Sequence, residues 1–193
     1  MVLKLNKTLK TILIIIAVLA VIILPIAGTY NSMISLEQQV NTSESNIDTQ
    51  LQRRSDLIPN LVETVKGYAA QEKGIYTDIA NARAKLAGAQ TVTDKANADS
   101  QLSSALSRLL VVVENYPDLK SSQNFRDLSV ALEGTENRIS VARQQYNNAV
   151  NEYNTSIRKF PNSIIAGIFR FNEKPYYKAS NGAKEVPKVN FTK

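Results

Sequence analysis

The chain has 193 residues, 44% hydrophobic and 21% charged, with no cysteine, histidine or tryptophan and a formal net charge of +6. That length suits one buried domain, or a smaller domain plus an anchor. The missing residue types exclude thiol nucleophiles, disulfides, Cys/His zinc sites and a cysteine-linked lipid, and they remove the commonest general base, so neither catalysis nor a cofactor is expected.

The positive charge lies at the ends of the chain. Lys4, Lys7 and Lys10 precede a long uncharged stretch, and from Arg158 onward eight basic residues face two acids, so the intervening body is net acidic. A nucleic-acid binder would place its basic surface on the folded body, so no nucleic-acid partner is expected. From Thr11 to Leu36 no residue is charged, and Ile12 to Leu24 is an unbroken apolar run. Counted from Leu9 to Tyr30, the stretch reaches the ~20 residues needed to cross about 30 Å of hydrocarbon. A cleaved signal peptide is the competing reading, but the core is at the long end for one and Pro25-Ile26-Ala27 is a poor cleavage site. Lysines flanking a span tend to stay cytoplasmic, so Lys4, Lys7 and Lys10 predict a cytoplasmic amino terminus and an extracytoplasmic body.

Beyond the span, Met33, Leu36, Val40, Ile47 and Leu51 step by three and four along a helix leaving the bilayer. Pro59 is then expected to end or kink that helix, because it lacks an amide to bond back to Ser55. A second helical pattern resumes at once with Leu61, Val62, Val65, Tyr68 and Ala69. It runs on through Ile79 and Leu86 to Gly88, with a local break near Gly74. Thr93 or Asp94 is the expected cap of a third helix, whose face is Leu102, Leu106, Leu109 and Val113 and whose end is Tyr116-Pro117. The last long helix has the clearest period, from Phe125 through Leu128, Leu132, Thr135, Ile139, Ala142, Tyr146, Ala149 and Tyr153 to Ile157. From Ser121 to Lys159 it would extend roughly 58 Å. Leu132 and Ile139 are both expected in the core, as are most of Tyr68, Tyr76, Tyr116, Tyr146 and Tyr153.

Two polar clusters stand out, Arg53-Arg54-Ser55-Asp56 and Glu133-Gly134-Thr135-Glu136-Asn137-Arg138. Their alternating signs predict an interhelical polar network of Arg53, Arg54, Asp56, Glu133, Glu136 and Arg138. The competing reading is a ligand or hard-cation site. After Pro161 the segment Asn162 to Phe169 is apolar but far too short to span. It is expected to dock on the bundle, capped by Asn162 or Ser163, with a membrane interface supported by Arg158, Lys159, Arg170, Lys174 and Lys178 as the alternative. The remaining tail reads as loose.

The blocks QLQRRSDLIPNLVETVKGYAAQEK, FRDLSVALEGTENRISVARQQYNNAVNEYNTSIRKFP and EVPKVNF resemble the LemA family of prokaryotic membrane proteins, in order from about Leu36 to Phe191. The resemblance implies a membrane-anchored, elongated antiparallel helical bundle, brings no catalytic residue, and leaves the orientation open. The chain is thus expected to comprise a short basic start (1–10), a transmembrane helix (11–30), an all-α antiparallel bundle of about four long helices (31–160), and a short apolar helix with a loose basic tail (161–193). The expected function is a membrane-anchored extracytoplasmic scaffold or adaptor of the cell envelope. Its partners would be the bilayer and another envelope or membrane protein; a ligand- or cation-binding sensor is the alternative.

Overall fold

The structure, a computed structural model, describes residues 7–178. Among the described residues six helices follow one another: α1 (Lys7–Lys66), α2 (Lys73–Gly88), α3 (Val92–Val113), α4 (Pro117–Ser121), α5 (Gln123–Arg158) and α6 (Asn162–Phe169). Among the described residues there is no strand, as an all-α chain requires. The helices differ widely in length: α1 has 60 residues and α5 has 36, whereas α2 and α3 have 16 and 22. The chain separates into two compact units, one of Met1–Asn41 with Ala149–Lys174 and the other of Thr42–Asn148 with Pro175–Lys193.

In the first unit, α1 begins with a stretch long and apolar enough to cross a membrane, and none of that stretch is buried against protein. Val21 is 73% exposed and Leu24 70%. Burial starts past Tyr30, with Met33 and Val40, and is matched by Val150, Tyr153 and Ile157 of α5 and by Ile165 and Ala166 of α6. Pro161 occupies the N-cap of α6 without a side-chain cap bond, so neither Asn162 nor Ser163 caps it. Asn162 instead donates to Ser156 Oγ at 3.4 Å. Arg170 closes α6 with φ 60°, in the left-handed region, as the Phe171 amide donates to the Ala166 carbonyl at 2.9 Å. Such an αL residue at a helix end satisfies carbonyls that would otherwise lack partners.

In the second unit, α1 does not end at Pro59 but continues to Lys66. An interior proline costs about 3 kcal/mol in a helix. Ile58, Leu61 and Val65, each no more than 1% exposed, flank it. Burying side chains of that size stabilises by about 1.5–3 kcal/mol apiece, which outweighs the lost bond. The helix stops at Gly67 instead, where the Tyr68 and Ala69 amides both donate to the Val65 carbonyl at 3.0 and 2.9 Å. The expected break near Gly74 therefore lies earlier, between Lys66 and Lys73. Tyr76, the first large buried side chain of α2, secures this turn by donating to the Ala69 carbonyl at 2.8 Å.

Helices α2 and α3 pack against each other across the short connection Ala89–Thr91. Lys85 reaches Gln101 at 2.9 Å and Asp78 reaches Arg108 at 3.0 Å, a descending register that makes the two antiparallel. Arg83 donating to Ser55 Oγ at 3.0 Å, with the Tyr76–Ala69 bond, sets α2 antiparallel to α1 in the same way. The cap of α3 is Thr91 rather than Thr93 or Asp94. Its hydroxyl accepts from the Asp94 amide at 3.1 Å and donates to the Asp94 carboxylate at 2.7 Å, so Asp94 acts as the partner of the cap. Two core expectations also change. Leu132 is only half-buried while Ile139 is fully buried, and Tyr68 is 48% exposed.

Candidate functional site

The apolar stripe of α1 in the second unit, Ile47, Leu51, Ile58 and Leu61, passes through Arg54, which is 5% exposed. The stripe of α3, Ala96, Leu102 and Leu106, passes through Asp99, which is fully buried. Two opposite charges on two core-facing stripes can exist only by meeting, because an unpaired buried charge costs several kcal/mol. They do meet. Arg54 Nη1 donates to Asp99 Oδ1 at 3.0 Å and to Ser103 Oγ at 3.0 Å.

Arg143, one helical turn after Ile139 on α5, donates to the other oxygen of Asp99. The Tyr177 hydroxyl donates to that same oxygen at 3.3 Å, and the Arg143 guanidinium lies over the Tyr177 ring, 5.0 Å from its centre. Glu136 Oε2 stands 2.7 Å from Arg54 Nη1 as an ion pair, without the alignment of a hydrogen bond. Asp99 thus holds two guanidiniums, and Arg54 has in Glu136 a second, partly exposed carboxylate. Close by, Lys95 of α3 bridges Glu44 at 3.0 Å and Asp48 at 2.7 Å on α1. Burial lowers the Lys95 pKa, but hydrogen bonds to Asp48 and Glu44 outweigh it and raise the group above its ordinary value. With Arg54–Asp99, these contacts ascend together along both helices, so α1 and α3 run parallel here.

Of the residues singled out from sequence, the structure brings Arg54 and Glu136 together and leaves the others outside the buried network. Arg53, Glu133 and Arg138 are exposed; Asp56 is exposed too, accepting a hydrogen bond from Gln52 at 2.8 Å. Arg138 lines a shallow surface groove with Asn46, Gln50 and Val141. Pro59 lies inside α1, Lys7 is the first residue of that helix, Lys10 is exposed on it, and Lys4 lies outside the described residues. Asp99, Arg143 and Tyr177 were not anticipated, nor was the Lys95 bridge.

A second arrangement was also missed. In the second unit, Asn147 of α5 grips the backbone of Tyr177 with both ends of its amide, donating to the carbonyl at 3.1 Å and accepting from the amide at 2.8 Å. Tyr146 beside it donates to the Pro175 carbonyl at 2.8 Å. In the first unit, Asn154 grips the backbone of Lys174 in the same manner, at 2.9 Å on each side, and Tyr153 donates to the Asn172 carbonyl at 3.0 Å. The Tyr-Asn pair recurring one heptad apart on α5 was the sequence signal for this repeated backbone recognition.

Both carboxylate oxygens of Asp99 are occupied by donors, and among the described residues no three His, Cys, Asp or Glu side chains gather where a metal ion could sit. Burial, with Asp99 assisting and Arg143 opposing, raises the Tyr177 pKa; burial, with Glu44 assisting, pushes the Tyr146 phenol up to about 12. Because the folded value of Tyr146 exceeds the unfolded value near 10, the associated stability is complete below pH 10. It is lost as pH rises through 12. Denaturant unfolding at a series of pH values should show a loss of about 2 kcal/mol over that interval which the Tyr146→Phe variant lacks. Equal slopes in the two proteins would remove Tyr146 as the cause.

The LemA family pattern matches residues 43–191. Magnetosome protein MamQ 2 of Paramagnetospirillum magneticum is 26% identical over 196 residues, an alignment covering 86% of this chain and 71% of that protein. Magnetosome protein MamQ of Magnetospirillum gryphiswaldense is 27% identical over 175 residues, covering 77% of this chain and 64% of the relative. Protein LemA of Metamycoplasma hominis is 24% identical over 140 residues, covering 72% of this chain and 64% of its own length.

Proposed function

We propose, from the premise that the chain belongs to the LemA family, that it is a membrane-anchored helical scaffold or adaptor of the prokaryotic envelope. Its amino terminus is cytoplasmic, its helical body is extracytoplasmic, and it performs no catalysis itself. The observation that carries this reading is the pairing of an unburied, membrane-length apolar start with a body whose buried charges neutralise one another. A body of this kind offers surface to partners, and its polar centre fixes how the helices present that surface. The similarity to proteins named for the magnetosome accords with an assembly role at a membrane. The cation-sensor reading draws less support, because Glu44 and Asp48 are held by Lys95 instead of being open to a metal ion.

The test is a membrane-impermeant, amine-reactive crosslinker added to intact cells, or to spheroplasts where an outer membrane is present. Lys73, Lys85 and Lys120 are exposed on the body and should enter discrete adducts with other membrane proteins. Adducts that form only after lysis would overturn the placement. Absence of adducts, combined with a melting temperature raised by a divalent cation, would favour the sensor, since a ligand binding only the native state stabilises it.

A further inference from the structure

Helix α6 has two dissimilar sides. Ile165 and Ala166 are buried, whereas Ile164 is 56% exposed, Ile168 69%, Phe169 50%, and Phe160 just before the helix 82%. Four large apolar side chains on a short segment form a patch that water disfavours.

The height of this patch along α1 is fixed by aromatic contacts within the same unit. The Tyr30 ring lies 4.8 Å from that of Phe169 and 5.7 Å from that of Phe171. Tyr30 follows Ile26, where the exposed apolar series beginning at Leu9 ends. At 1.5 Å per residue, Leu9 to Tyr30 rises about 31 Å, which matches the ~30 Å thickness of bilayer hydrocarbon. Tyr30 thus falls at the boundary where tyrosine is favoured, and α6 is held beside it.

The charge around the patch has the sign that lipid headgroups require. Lys159 and Arg170 bracket α6, both exposed and neither in an ion pair among the described residues. Arg158 pairs with Glu173 at 3.5 Å and Lys174 with Glu37 at 2.7 Å, so the neighbouring acids are already countered.

We propose that α6 is a second membrane contact, an interfacial helix that inserts Phe160, Ile164, Ile168 and Phe169 into the headgroup boundary at the body end of the span, with Lys159 and Arg170 binding anionic phospholipid. This rests on the reading of α1 as a transmembrane anchor. An anchor alone leaves the first unit free to tilt and rotate about the helix axis; a second contact at the same boundary fixes how that unit meets the surface.

The absence of cysteine in the chain makes the test direct. Ile168→Cys, Val18→Cys and Val130→Cys are labelled singly with an environment-sensitive fluorophore. Each full-length protein is reconstituted into vesicles of phosphatidylcholine with phosphatidylglycerol, and quenching by nitroxide-bearing lipids is measured. The label at 168 should be quenched by shallow nitroxides at least about threefold more than that at 130, while the label at 18 is quenched by deep ones. Lys159→Gln with Arg170→Gln should reduce quenching at 168 in these vesicles and not in phosphatidylcholine alone. Quenching at 18 with none at 168 overturns the second contact and leaves the anchor standing; quenching at neither position overturns both. A label at 168 that is shielded from lipid and crosslinks to another copy assigns the patch to self-association and also overturns the proposal.

Discussion

Asp99→Ala is expected to destabilise the body by about 3–5 kcal/mol, the usual result of removing one partner from a buried ion pair. The carboxylate is fully buried and is the shared acceptor for Arg54, Arg143 and Tyr177. Without it Arg54 retains only the partly exposed Glu136 and Ser103, while Arg54 Nε and Arg143 Nε already lack acceptors among the described residues. In detergent-solubilised full-length protein, the helical circular dichroism transition should fall by on the order of 10 °C. Asp99→Asn should lie between, since it keeps an acceptor but forfeits the charge. Converting the centre to apolar residues together, with Arg54→Leu, Asp99→Leu and Arg143→Met, should recover much of the loss, because the one charge left without its partner, Glu136, is partly exposed and stays hydrated. An Asp99→Ala transition within about 1 °C of the parent would show that the charges are hydrated and the centre is not a keystone.

That centre was only half legible in the sequence, and the cause is specific. A stripe running Ile47, Leu51, Arg54, Ile58, Leu61, Val65 is continuous at three- and four-residue steps, but expecting a helix end at Pro59 cuts it in two and leaves Arg54 as one member of a polar cluster with Arg53 and Asp56 instead of a core position. Starting the face of α3 at Leu102 likewise passes over Asp99, three residues earlier on the same stripe. A charged residue at a position that periodicity assigns to the core is the signal, and it acquires meaning when a second helix carries the opposite charge in the same way. Local propensity disfavours Pro59 within a helix, yet burial on both sides overrides it, a long-range effect that no window of sequence contains. Gly67, milder in itself, marks the true end of α1. The stretch from Leu9 to Ile26 was legible because composition alone marks it, whereas the outward face of α6 was not, since its exposure depends on Ile165 and Ala166 being the side that packs.

The same distinction between period and depth separates two substitutions that the heptad series treats alike. Ile139→Asp should cost about 4 kcal/mol or more, because the side chain is fully buried and a lone carboxylate there must shed its hydration or take up a proton. Thr135, one turn before it, is also buried, but its hydroxyl already donates to the Leu132 carbonyl at 2.7 Å and leaves no donor for a new carboxylate. Leu132 is half-buried, so Leu132→Asp can keep its charge in water and forfeits only the apolar contact, about 1–2 kcal/mol. Denaturant unfolding should therefore place the midpoint for Ile139→Asp far below that for Leu132→Asp, with the latter close to Leu132→Ala. Raising the acidity should narrow the gap between Ile139→Asp and the parent, since protonation removes the charge that cannot be hydrated. Equal midpoints for the two Asp variants would mean that this face of α5 is uniformly exposed, and the packing of Ile139 would have to be abandoned.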